Sequence, residues 1–209
     1  MRLNLLASGV LLLLGACSRK QPAQPELPLQ ALRVVLASEA ELAKLDAAGE
    51  RIVRRPWVGP IVQVLAEETP DALTPMQKSR IAGAGMPADA LFERGLANLR
   101  AACKQSIQER TVEMAKAHVQ ITRSADNFTA ARLQLPELWK KIAADAGQLY
   151  AAAPARDILV WTTSVARADQ LALRGQARTA FQARSEPISP AILRWTGDGW
   201  ALEDANPIP

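Results

Sequence analysis

Short apolar or alternating runs recur along the chain, at residues 32–36, 61–65, 119–121, 128–135, 158–161 and 192–195. Their length and their Val, Ile, Leu and Trp content predict β-strands. Asp126-Asn127 lies between two of these runs, and Gly197-Asp198-Gly199 lies between Trp195 and Trp200. These residue types tolerate positive φ, so both stretches predict hairpins, and the sheet is expected to be mainly antiparallel.

A different period takes over elsewhere. Phe92, Leu96, Leu99 and Cys103 recur at i, i+4, i+7 and i+11, one stripe of a helix that Pro87 can open. Pro136 opens a second, with Leu138, Ile142, Ala146 and Leu149 expected on one face and Lys141 and Asp145 paired on the other. Weaker patterns place a third helix over residues 167–181 and a short one over 39–48. Helices packed on one side of a mainly antiparallel sheet make an α+β domain. No internal repeat and no linker beyond Pro28 interrupt residues 30–209, which are expected to form one domain.

The first residues follow another logic. Met1-Arg2 precedes an apolar stretch from Leu5 to Leu14, and Gly15-Ala16 leads into Cys17. A basic start, a short apolar segment and small residues before a cleavage point predict a signal peptide over residues 1–16. The segment is half the ~20 residues that a membrane-spanning helix needs. Leu14-Gly15-Ala16-Cys17 resembles the lipobox of bacterial lipoproteins. The resemblance implies that Cys17 becomes the acylated first residue of the mature chain and that its fatty chains moor it to a lipid bilayer. Ser18 stands where the inner-membrane retention signal has Asp, which implies the outer membrane, facing the periplasm, in a cell with two membranes. Residues 17–29 carry Pro22, Pro25 and Pro28 among polar residues and read as a tether. In extended polyproline geometry, ~3.1 Å per residue, such a tether reaches some tens of ångströms from the lipid.

Composition narrows the classes. Of 209 residues, 49% are hydrophobic and 22% charged, ordinary globular usage that favours a folded body. Aromatic residues are only 4%, too few for a stacking platform on single-stranded nucleic acid. The net charge of +4 includes Arg2 of the leader, and Lys and Arg are scattered without a run, so no nucleic-acid partner is expected.

With Cys17 acylated, Cys103 is the one remaining cysteine and no internal disulfide can form. Its place on a helical stripe predicts a core residue. His118 is the only histidine and falls on the strand face opposite Val119 and Ile121, toward solvent. One Cys and one His cannot supply the ligand set of a zinc site, and no Gly-x-Ser-x-Gly elbow accompanies a serine. Residues 81–85 hold two glycines without the context of a phosphate loop and predict a turn. No metal, cofactor or dedicated catalytic set is therefore expected. Glu67, Glu68 and Asp71 cluster where a strand ends, and Asp157 follows Arg156 where another begins; paired acids at strand ends can do acid–base work. Trp57, Trp161, Trp195 and Trp200 read as core and rim packing.

Arg55-Pro56-Trp57-Val58-Gly59-Pro60 and Leu65-Ala66-Glu67-Glu68-Thr69-Pro70-Asp71 resemble a stretch of the YtpQ-like family of uncharacterised bacterial proteins. Leu91-Phe92-Glu93 with Leu96-Ala97-Asn98-Leu99, Pro154-Ala155-Arg156-Asp157-Ile158-Leu159 and Ile188-Ser189-Pro190 extend the similarity over most of residues 50–200. The resemblance implies a shared α+β architecture and directs attention to Glu67, Asp71, Asn98, Arg156 and Asp157 as binding residues. The lipobox and tether depart from the family's cytoplasmic members.

Together these features predict a membrane-anchored lipoprotein of the cell envelope. Its domain is expected to bind or scaffold another envelope protein without catalysis. The alternative is a carboxylate-dependent enzyme acting on an envelope polymer through Glu67, Glu68, Asp71 and Asp157.

Overall fold

A computed structural model of the chain describes residues 27–49, 51–82, 85–103, 111–113, 117–124 and 126–204. The leader, Cys17 and most of the tether lie outside the described residues. The architecture is α+β, with the strands divided between two antiparallel sheets.

The first sheet contains β1 (Leu32–Ser38), β2 (Arg54–Val58), β3 (Ile61–Glu68) and β4 (Leu73–Pro75). β3 is its centre, pairing with β1 along one side and with β2 and then β4 along the other. The second sheet runs in the order β10-β9-β7-β8-β6-β5. Its strands are β5 (Thr111–Glu113), β6 (Gln120–Arg123), β7 (Tyr150–Ala155), β8 (Ile158–Thr162), β9 (Ile192–Trp195) and β10 (Trp200–Asp204). The β9–β10 hairpin turns where expected, with Gly197 at φ 108°, a conformation that costs a glycine nothing.

Five α-helices pack on these sheets among the described residues: α1 (Glu39–Ala47), α2 (Lys78–Ile81), α3 (Ala88–Ala102), α4 (Pro136–Ala146) and α5 (Arg167–Ala183). α3 buries Leu91 and Phe92 against Leu32, Val34 and Leu65 of the first sheet. Gly95 permits the approach, because a Cβ there would stand 2.9 Å from Val34 Cγ2 and 3.2 Å from the Arg33 carbonyl carbon. α5 sets Leu173 and Ala177 on Ile158, Val160 and Ile192 of the second sheet. On the other face of that sheet, Leu159, Trp161 and Leu193 meet Trp139 and Ile142 of α4 together with Leu36 and Ile61 of the first sheet. β8 is thus covered on both faces, which is why it reads as an uninterrupted apolar run. Trp139 is the hub of the aromatic packing, edge-to-face with Trp161 at 6.0 Å and with Trp200 at 5.3 Å.

Three expectations need correction. Residues 128–135 form no strand: Ala130–Gln134 is a 3-10 helix, every residue of it buried, Arg132 included. Burial on all sides produces the same apolar run as a strand covered on both faces, so the pattern could not separate them. Asn127 does adopt positive φ, at 59°, but its turn leads from β6 into the 3-10 helix and makes no hairpin. The buried face of α4 is Trp139 and Ile142; Ala146 is exposed, and the helix stops at Gly147 with φ 75°, before buried Leu149.

Candidate functional site

The charged residues singled out in the sequence that form ion pairs do so with different partners. Glu68 meets Arg33 at 2.5 Å, while Glu67, its neighbour in the chain, faces Arg80 at 3.8 Å. Asp71 stands exposed beside the turn in which the Thr69 N–H donates to the Ala72 carbonyl at 2.8 Å. Asp157 faces Arg184 at 3.5 Å, and Arg156 pairs with Glu186 at 3.0 Å. Glu67, Glu68, Arg156 and Asp157 are each answered by a different partner. Asn98 has a backbone role: its amide donates to the Leu29 carbonyl at 2.8 Å and to the Leu32 carbonyl at 3.0 Å. Cys103 is buried among Leu99, Phe128, Ala131 and Leu135, as its stripe predicts. Cys17 lies outside the described residues.

The most buried charge is one the sequence did not reveal. The Arg132 guanidinium, 1% exposed, contacts Asp126 at 2.5 Å, and its Nη1 donates to Ser124 Oγ at 3.1 Å. Burial works against the Asp126 charge, yet the hydrogen bonds from Arg132, Ser124 and the Phe128 N–H hold its carboxyl well below the usual carboxylate range. Nothing in the spacing of these residues distinguishes them from surface charges. They tie the turn after β6 to the 3-10 helix.

A groove opens where β1 leaves this framework. Leu65 of β3 turns both backbone groups toward β2 and β4: its N–H donates to the Val53 carbonyl at 3.0 Å, and its carbonyl accepts from the Met76 N–H at 2.8 Å. The alternate residues Val62, Val64 and Ala66 therefore serve the ladder to β1, through Ala37, Val35 and Arg33. It follows that Leu32, Val34 and Leu36 point their N–H and C=O away from β3, as does the Ser38 N–H, while the Ser38 carbonyl stands at the N-cap of α1 and Leu36 is itself buried. Asn98 covers the Leu32 carbonyl, and Gln134 Nε2 covers the Val34 carbonyl at 3.0 Å. Beyond these two side-chain caps the strand changes character. Val35, Leu36, Ala37 and Ser38 all line a groove of about 340 Å³, walled by Leu42 and Leu45 of α1 and by Pro187 and Ile188. Val64 of β3 and Pro75 of β4 also line it, so the groove begins on the sheet face beneath α1 and reaches β1 at its last residues. The rim charges are matched, Arg156 with Glu186 and Lys44 with Glu41 at 2.6 Å. Arg156 is the one sequence-predicted residue that reaches this groove.

A second cleft, of about 370 Å³, is lined by His118, Gln120, Asp145, Trp161 and Ser164 among others. His118 is exposed, but it lies in the bend before β6 and not on a strand face, and its main chain is held: its N–H donates to Asp169 Oδ1 at 3.0 Å, and the Thr162 hydroxyl donates to its carbonyl. Ser164 hydrogen-bonds Asp169 and, with the His118 N–H, keeps that carboxyl below its ordinary range. A nucleophilic relay places the imidazole between hydroxyl and carboxylate. Here Asp169 meets the serine directly and the histidine through its backbone, an arrangement that fixes a loop.

Comparison of the chain with protein-family models, with curated proteins and with solved structures finds no match.

Proposed function

We propose that the chain is a lipoprotein moored in the cell envelope through acylated Cys17, and that its domain binds an extended segment of another envelope protein along the β1 edge. The apolar groove that meets the outward backbone of Leu36 and the Ser38 N–H carries this reading. A strand edge offers main-chain hydrogen bonds to an added strand, and adjacent pockets select its alternate side chains. The groove lies at the small end of ligand pockets, ~300–1,000 Å³. Its size suits a few apolar side chains, and because its rim charges neutralise each other it selects for shape over charge. Asn98 and Gln134 leave only the last part of the edge open, which limits pairing to a short segment and protects against edge-to-edge aggregation.

The carboxylate-enzyme alternative has less support. Two acids acting on a glycosidic bond stand across a cleft at ~5–9.5 Å, whereas Glu67, Glu68 and Asp157 are each held by a different arginine.

A photoreactive amino acid placed at Lys44, on the groove rim, tests the reading in intact cells. The expected result is a light-dependent adduct to one envelope protein, mapped to an apolar extended segment, lost in Leu45→Asp and not formed from a probe at exposed Lys140. Absence of an adduct from position 44, or an adduct that persists in Leu45→Asp, contradicts it.

A further inference from the structure

Most large apolar side chains of this protein are well covered. Val165, 66% exposed, and Leu171, 45% exposed, stand out in solvent among the described residues, and they lie within one turn-and-a-half of chain at the start of α5. The exposed charges of α5 are both arginines. Counted from Leu171, Arg167 is at i−4, Arg174 at i+3 and Arg178 at i+7, positions that share one stripe of a helix. Arg167 and Arg178 are exposed and Arg174 is half-buried. The only acidic residue of α5 is Asp169, which is 6% exposed and turned inward to accept the His118 N–H. Leu173 and Ala177 occupy that same inner side, against β8 and β9. The helix therefore divides: core and acid inward, Leu171, Arg167 and Arg178 outward, with Arg174 half-buried and engaged in a contact of its own.

We infer that this outward face of α5 docks on an anionic lipid surface. Apolar side chains set among basic ones are the composition of interfacial helices, whose apolar atoms enter the headgroup boundary while the cations meet lipid phosphates. Long arginine stems add to the apolar contact and keep their charge in water. Two protruding apolar side chains on a convex helix are too little for a protein patch of several hundred Å², and they suffice for shallow insertion supported by charge. Docking of α5 fixes how the domain sits on the bilayer, a property that the acyl anchor proposed at Cys17 does not set by itself. It is distinct from the β1 groove, none of whose lining residues lies on α5.

The test uses the full chain with an environment-sensitive fluorescent amino acid in place of Leu171, added to vesicles whose acyl chains carry bromine quenchers. One set is phosphatidylcholine alone and the other includes phosphatidylglycerol. The signal reports α5, so it does not depend on how the amino terminus is held. Several-fold stronger quenching in the anionic vesicles is expected, falling as salt is raised and falling in the double variant Arg167→Glu, Arg178→Glu. Arg178→Ala, at an exposed position, gives a smaller drop and guards against misfolding of the double variant. Equal quenching in both vesicle types, or quenching that neither variant reduces, overturns the inference.

Discussion

Asp126 supplies the counter-charge of Arg132 across a 2.5 Å contact, and the arginine is 1% exposed while the aspartate keeps 30% of its surface in solvent. The asymmetry sets the energetics. Removing the acid strands a cation in the core, which costs about 3 kcal/mol when a buried pair is broken from one side. Asp126→Asn should lower the stability measured by urea unfolding by that order. The Trp139 indole, which donates to the Arg132 carbonyl at 2.8 Å, should report the change in its fluorescence.

Acid should act through the same pair. The Asp126 carboxyl is held below its unfolded value of 3.8, with burial opposing and the bonds from Arg132, Ser124 and Phe128 prevailing. A depressed folded value means that the unfolded chain binds the proton first. The stabilisation is then complete above the unfolded value and is lost as pH falls through it toward the lower folded one, beginning at about pH 5. Urea midpoints of the wild type should drop more steeply below pH 4.5, roughly, than those of Asp126→Asn, which has no proton to take up there.

Close packing at Gly95 yields an opposite kind of effect. Its virtual Cβ lies 2.9 Å from Val34 Cγ2 and 3.2 Å from backbone of the same strand, so Ala cannot be accommodated without moving α3 off β1. Gly95→Ala should destabilise by about 1–3 kcal/mol, the cost of overpacking, despite the better helix propensity of alanine. Thermal unfolding checks the sign.

Gly175 is the matched control on α5. It is exposed, and nothing stands within 4 Å of its virtual Cβ. Gly175→Ala should therefore stabilise by about 0.5–1 kcal/mol, through propensity alone. A loss of stability in the same unfolding assay would show that this face of α5 is packed in a way the structure does not contain.

The contrast between these glycines marks how far the sequence can be read. Phe92, Leu99 and Cys103 announced α3, because a helix with one covered face leaves its period in the chain. β1, β3, β8, β9, α1 and α5 were legible for similar reasons. β7 was not: Tyr150–Ala155 is mostly alanine with Pro154, poor strand formers, and tertiary packing at the centre of the second sheet decides its conformation. β2, with Arg54, Arg55 and Pro56, has no apolar alternation because it sits at the sheet edge. Ala130–Gln134 misled because total burial erases periodicity. Of the candidate site, Arg156 was reached and Asn98 proved to be a cap on β1. The groove escaped notice because β1, α1 and residues 185–188 meet only in the folded chain.

The claim that places the protein at a membrane rests on Cys17. Intact-mass spectrometry of the full protein, extracted from its own cells with detergent, measures it directly. A mature chain that begins at Cys17 and carries the added mass of fatty acyl groups is predicted, in the membrane fraction and shifted to the soluble fraction or the precursor mass in Cys17→Ala. A native polypeptide that retains Met1 with an unmodified Cys17 thiol contradicts the account.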